Sequence, residues 1–289
     1  AGDARPCLGS AAIAAGSRVR EAIMYETTYH RAVSVDEAAA LLAKNPDAKF
    51  LAGGHTLLPV MKQRLAGPSD VIDIARIKDL IGIEVTSDAL IIKAATTYYD
   101  ITQSAAARKA IPAIVHLTEV LGDPAVRYRG TIGGSLANND PAADYPAAVL
   151  ALNATVKTNK RDIAAADFFQ GLFSTALEDD EIITAVSFPI PAKAGYAKMR
   201  HPASRFAMTG VFVAQMKDGE VRVAATGAAQ DGVMRVPAIE AALKPNWSTA
   251  AIDGVSISAD GLMGDIHGSA AYRANLIKVM AQRAVEAAG

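Results

Sequence analysis

Two glycine pairs constrain this chain more than any other feature. The stretch "KFLAGGHTLLPVMKQRLA" (49–66) reads as a short buried strand, two glycines and then an amphipathic helix. Further on, "GTIGGSLANNDPAAD" (130–144) repeats the device. Glycine has no Cβ and reaches φ > 0 readily, so two in succession can turn several backbone N–H groups inward as an anion-binding nest. In the first stretch Gly53 and Gly54 precede His55 and Thr56, and the following helix adds the partial positive charge of its N-terminus. In the second, Gly133 and Gly134 precede Ser135, again a hydroxyl beside the turn. Neither turn contains Lys or Arg, which suits a diphosphate held by backbone N–H groups and hydroxyls, with one diphosphate engaging both. Asp140 and Asp144 follow closely, where carboxylates accept from ribityl or ribose hydroxyls. The plain alternative is that each pair is only an architectural turn.

Composition removes several other functions. The 289 residues suffice for a substantial core and for more than one unit. Lys+Arg 29 against Asp+Glu 30 gives no basic excess for nucleic acid or a membrane surface. No apolar run approaches the roughly 18–20 residues of a membrane span. Cys7 is the single cysteine, so disulfides within the chain, cysteine-ligated zinc and iron–sulfur ligation are excluded. A cytoplasmic protein is expected, reaching the inner face of the membrane, if at all, through partners. Residues 1–23 lack any regular period and read as a tag or disordered extension, with Met24 the expected natural start.

The remaining chain alternates short strands and helices irregularly, an α+β pattern. "SVDEAAALLAKN" (34–45) predicts a helix capped by Ser34, with Glu37 placed for a capping box. Strands are expected at Lys49–Leu51 and Val71–Ile74, and a hairpin over 81–95. Residues 99–123 read as helix broken before Pro112, and 181–190 as a strand ending at a prolyl boundary. Beyond it, two strands are expected to join at Asp218-Gly219. A closing helix is expected to present Tyr272, Leu276, Val279 and Met280 on one face.

Familiar catalytic signatures are missing. There is no G-x-G-x-x-G and no P-loop. The five histidines show no i, i+4 pair for a metal, and "GGSLA" (133–137) departs from a nucleophile elbow at its last position. "EDDE" (178–181) reads as a solvated turn rather than a metal site.

Three stretches carry a resemblance: "FLAGGHTLLPVMKQRLAGPSDVIDIARI", "GDPAVRYRGTIGGSLANNDPAADYPAAVLAL" and "DIHGSAAYRANLIKVMAQRA". In order and spacing, from Met24 to Gly289, they resemble the FAD-binding medium subunits of molybdenum hydroxylases, and most of all the carbon monoxide dehydrogenase type. The resemblance implies an α+β fold of the PCMH/vanillyl-alcohol-oxidase type. It implies a 24–189 FAD-binding domain of two subdomains, then a smaller α+β domain over 190–289. Ala52, Gly53, Gly54, His55, Thr56, Thr131, Ile132, Gly133, Gly134 and Ser135 would bind the FAD diphosphate. Asp144 would bind the ribityl region, and Phe206 would lie near the isoalloxazine. The family often carries an acidic residue followed by tyrosine where this chain has Arg205-Phe206, which touches flavin potential and acceptor choice rather than FAD binding.

By the same resemblance, His55 carries no covalent flavin bond and FAD is non-covalent. The chain would partner a large molybdenum-cofactor subunit and a small subunit with [2Fe–2S] clusters, as a dimer of heterotrimers. It would be an oxidoreductase subunit, passing electrons from those clusters through FAD to an external acceptor. The substrate would be chosen in the large subunit, so carbon monoxide, an aldehyde and an N-heterocycle fit this chain equally. Two rival readings are a stand-alone FAD oxidase of the same fold, which normally carries a larger substrate domain, and a binding module that has lost flavin.

Overall fold

The structure is a computed structural model and describes residues 25–289. The expectations for residues 1–23, Met24 and Cys7 lie outside the described residues.

The first unit is a small α/β layer. Strands β1 (Thr28–Arg31), β2 (Lys49–Leu51) and β3 (Asp70–Asp73) form a parallel sheet in the order β1-β3-β2, with helices α1 (Val35–Lys44) and α2 (Leu57–Lys62) in the connections. Ser34 caps α1 by accepting the Glu37 N–H at 3.1 Å, and Glu37 reaches back to the Val33 N–H at 2.7 Å. The box therefore closes one residue earlier than the usual pattern. Ile72, Ile77 and Leu80 fill the core with Ala38 and Leu42 of α1.

The second unit holds most of the apolar core. Its hairpin β4 (Ile83–Val85) and β5 (Ala89–Lys93) leads into helices α3 (Tyr98–Gln103), α4 (Ala105–Ala110), α5 (Pro112–Glu119), α6 (Pro124–Arg129), α7 (Ile132–Asn138) and α8 (Tyr145–Ala151). There follow β6 (Thr155–Thr158), β7 (Asp162–Ala164), α9 (Ala165–Phe168), the small hairpin β8 (Phe169–Gly171) and β9 (Ser174–Thr175), and β10 (Ile183–Pro189). The five-stranded sheet runs β4-β5-β10-β6-β7, antiparallel throughout. The expected helix over 99–123 breaks twice, not once. Ser104 leaves the helical region and its hydroxyl caps α4 through the Ala107 N–H at 3.1 Å, while Pro112 opens α5.

The third unit is a four-stranded antiparallel sheet, β11 (Lys193–Arg200), β12 (Ala207–Gln215), β13 (Val221–Ala229) and β14 (Gly232–Arg235), followed by α10 (Pro237–Leu243) and α11 (Ala270–Ala288). Gly219, at φ +87°, turns β12 into β13 at the expected place. Helix α8 covers one face of this sheet and α11 the other. Strands β12 and β13 are consequently buried almost end to end, which explains their near-continuous apolar text. The face expected for the closing helix needs correction. Leu276 and Met280 point inward with Ile277, Ala281 and Ala284, but Tyr272 is 40% exposed and Val279 is half-buried. Among the described residues no helix is long and apolar enough to cross a membrane.

Candidate functional site

The three units meet around a cleft of about 820 Å³. Ala52, Gly53, Gly54, His55 and Thr56 line it from the β2–α2 loop, and Thr131, Gly133, Gly134 and Ser135 from the start of α7. Asp144, at the start of α8, and Phe206, before β12, line it too. Ile132 does not: its side chain is fully buried in the core of the second unit.

The two glycine pairs prove to be built differently. The first is a true loop after a strand. Gly54 sits at φ +77°, a conformation that favours glycine, and a Cβ on Gly53 would lie 2.1 Å from the Arg129 carbonyl oxygen. Gly53 is thus required where the loop abuts the end of α6. The N–H groups of Gly53, Gly54, His55 and Thr56 find no acceptor among the described residues. Four adjoining donors left open beside a cleft are what a diphosphate needs. His55 Nε2 donates to the Ala125 carbonyl at 3.3 Å, which ties the loop to α6.

The second pair is no loop after a strand, as the sequence suggested, but the first turn of α7, and a helix precedes it. Its N–H groups are largely engaged. Gly133 donates to the Ala94 carbonyl at 2.9 Å, Gly134 to the Thr131 hydroxyl at 3.2 Å, and Ser135 to the Thr131 carbonyl at 3.0 Å. Gly133 is glycine because a Cβ would lie 2.6 Å from that of Ala94, in the turn just past β5. Gly134 differs: a Cβ there would meet only Thr131 Oγ1 at 3.0 Å and Ala52 Cβ at 3.9 Å. It faces the first loop across the cleft, and bare backbone keeps that gap open. Helices α2 and α7 are short, so binding here draws on local donors and space more than on helix dipoles.

At the far end, a buried polar cluster surrounds Asp144. Lys198 Nζ lies 2.8 Å from Asp144 Oδ1, with both side chains almost wholly buried, and the Tyr196 hydroxyl donates to the same oxygen. Asp144 Oδ2 has no partner among the described residues. Burial drives the Asp144 carboxyl above its ordinary range, while Lys198, Tyr196 and Arg200 pull the other way. Tyr98 also lines the cleft, and burial pushes its phenol up to about 12. The sequence reading missed Lys198 and Tyr196. Their spacing was the available signal, since residues two apart on β11 share a face and both reach Asp144.

Phe206, 52% exposed, is presented by a tight turn. The His201 N–H donates to the Phe206 carbonyl at 2.8 Å, Arg205 adopts φ +62°, and both Arg205 and Phe206 face the cleft.

The "EDDE" turn is not wholly solvated, contrary to its sequence reading. The Glu181 side chain is buried and accepts from Arg161 at 3.1 Å, Thr158 at 2.6 Å and the Glu178 N–H at 3.0 Å. Burial acts to raise its carboxyl, but these bonds outweigh that and hold it at about 2. Among the described residues no group of three or more His, Cys, Asp or Glu is arranged to hold a metal.

Known proteins share this fold and much of this sequence. Residues 24–191 match the family described as the FAD binding domain in molybdopterin dehydrogenase. The carbon monoxide dehydrogenase medium chain of Afipia carboxidovorans is 35% identical over 275 residues, 90% of this chain and 96% of that one. The nicotine 6-hydroxylase medium subunit of Paenarthrobacter nicotinovorans matches at the same identity and coverage. Among solved structures, reconstituted CO dehydrogenase from Oligotropha carboxidovorans superposes with a TM-score of 0.85 at 33% identity, over 92% of this chain and 98% of that one. Quinoline 2-oxidoreductase from Pseudomonas putida 86 gives 0.80 at 27% identity, with the same coverage. With the family matched over more than half its length and medium subunits over nine-tenths, the chain belongs to the FAD-binding subunits of the molybdopterin dehydrogenase family.

Proposed function

We propose that the chain holds one FAD non-covalently across this cleft and serves as the electron-exit subunit of a molybdenum hydroxylase complex. Electrons from a substrate oxidised at a large partner's molybdenum centre would arrive through [2Fe–2S] clusters of a small partner and leave to an external acceptor. The observation that carries the reading is the row of open N–H donors from Gly53 to Thr56, opposite Gly134, in a cleft that also contains the unpartnered Asp144 Oδ2.

The chemistry supplied by FAD at such a site is the uptake of single electrons and their release singly or in pairs. The chain's own residues bind and orient. The first loop and the Thr56 and Ser135 hydroxyls would take the diphosphate, and Asp144 Oδ2 would accept from a ribityl hydroxyl. Lys198 and Tyr196 hold Asp144 in place from one face of β11. Phe206 supplies an apolar wall at that end. His55 has a structural task in bridging to Ala125, which accounts for its presence in the loop without a bond to flavin.

The relatives' names support the assembly: medium chains and subunits of dehydrogenases and hydroxylases, one of them a 6-hydroxypseudooxynicotine dehydrogenase complex. Acid precipitation of the purified yellow chain tests the cofactor reading, with flavin expected in the supernatant. Colour retained in the pellet would mean a covalent link, and a colourless chain that also fails to take up added FAD would end the proposal.

A further inference from the structure

One exposed aromatic side chain at the cleft has no explanation within the chain itself. Phe173 forms the tip of the β8–β9 hairpin and lines the cleft, yet it is 62% exposed. Its backbone adopts φ +53°, a region that non-glycine residues enter rarely and bulky ones at a disadvantage. Burial does not compensate for this, because little of the ring is buried. Glycine would suit such a turn better than phenylalanine.

The hairpin is nevertheless held firmly, and by one residue. Asn139 ends α7 in the left-handed conformation at φ +43° and is 2% exposed. Its amide donates to the carbonyls of Gly171 and Ser174, each at 2.8 Å, which uses both amide hydrogens. Its own carbonyl accepts the Phe173 N–H at 3.2 Å. The helix it terminates is the one that begins with the Thr131–Gly134 turn. A single element, roughly 10 Å long for seven residues, therefore joins the glycine turn to the hairpin that carries Phe173.

We propose that Phe173 is an aromatic cover that closes over one ring system of the bound dinucleotide, and that Asn139 is the residue that positions it. This rests on the FAD reading above. An unfavourable backbone conformation, an exposed ring among the residues lining the cleft and a dedicated buried anchor together describe a side chain whose contact is completed by a ligand. The shared chemistry is stacking or edge contact with a planar heterocycle, and the dinucleotide offers two, isoalloxazine and adenine.

The test is FAD titration of the full chain after flavin removal, with thermal unfolding of each apoprotein alongside. Phe173→Gly should leave the apoprotein's Tm unchanged or raise it, because the turn loses its strain. It should weaken FAD binding by about tenfold, the scale of one lost aromatic contact. Phe173→Tyr should restore binding. If the ring covered is adenine, ADP competition weakens in parallel. If it is isoalloxazine, ADP competition is unchanged and the fluorescence of bound flavin rises. Asn139→Gly keeps the left-handed backbone but removes the amide, so it should weaken FAD binding as Phe173→Gly does. The double variant should then be no worse than either single one, since coupled residues fail to add. Fully additive losses would overturn the positioning role of Asn139. A parent that binds FAD and a Phe173→Gly chain that binds it equally would overturn the proposal, including the case where only assembly with partner subunits suffers. A parent chain that binds no FAD would instead sink the reading beneath it.

Discussion

At the scale of single residues, the four glycines of the cleft have separate tasks that one motif conceals. Gly53 and Gly133 let backbones approach, Gly54 turns the chain, and only Gly134 leaves room facing the opposite loop. Their alanine variants should behave differently. Gly53→Ala sets a methyl against the Arg129 carbonyl and should destabilise the apoprotein by about 1–3 kcal/mol or prevent folding. Gly134→Ala should fold with a Tm close to the parent's yet bind FAD at least about tenfold more weakly, because its methyl narrows the gap to Ala52. Ser135→Ala removes a hydroxyl donor to phosphate, and a hydrogen bond to a charged group is worth roughly 1.5–3 kcal/mol. Its FAD affinity should fall by about ten- to a hundredfold with the circular dichroism spectrum unchanged. Equal FAD titrations for parent, Gly134→Ala and Ser135→Ala would show that these residues form turns and nothing more.

At the scale of elements, two anchors lend themselves to measurement. Helix α11 packs through Leu276 and Met280, so Met280→Ala should lower stability by about 2–5 kcal/mol. Tyr272→Ala, on the outer side, should change it little, and denaturant unfolding of the two variants checks the face. The 178–181 turn is clamped to the β6–β7 turn by Glu181 and Arg161. The folded carboxyl of Glu181 sits at about 2, below its unfolded value of roughly 4.3. Its contribution is therefore fully present above the unfolded value and is lost as pH falls towards 2. Glu181→Gln should be less stable than the parent at pH 7, and its Tm should fall less steeply between pH 5 and pH 2. Parallel Tm profiles would contradict this. Much at this scale was legible in the sequence: the capped helix α1, the turn at Asp218-Gly219, and the strands expected at 49–51, 71–74, 81–95 and 181–190 to within about two residues. Strands β1, β6 to β9, β11 and β14 were not foreseen. Nor was the split at Ser104, because a serine that ends one helix and caps the next looks, in a run of alanines, like an ordinary helical position.

At the scale of the whole molecule, the cleft belongs to no single unit. Its open donors come from the first, Gly134 and Asp144 from the second, and Lys198 and Phe206 from the third. Tyr196 and Phe212 of the third unit are part of the second unit's core. A chain ending at residue 189 should therefore expose the apolar face of α8, aggregate, and fail to retain FAD, as size-exclusion chromatography and absorbance would show. A monomeric truncation that stays yellow would mean that the third unit is dispensable for the site.

The amino-acid sequence by itself determined the α+β class, the family and the stretches that form the cleft. Those properties are local: glycine pairs, caps, turn dipeptides and alternating apolar residues act over a few positions and survive in the text. Only the tertiary structure decided which glycine faces the cleft and which merely lets backbones touch, since that depends on Arg129 and Ala94, remote in sequence from the glycines they meet. It alone set Lys198 against Asp144, because a buried charge acquires its partner through packing between units rather than through any local pattern.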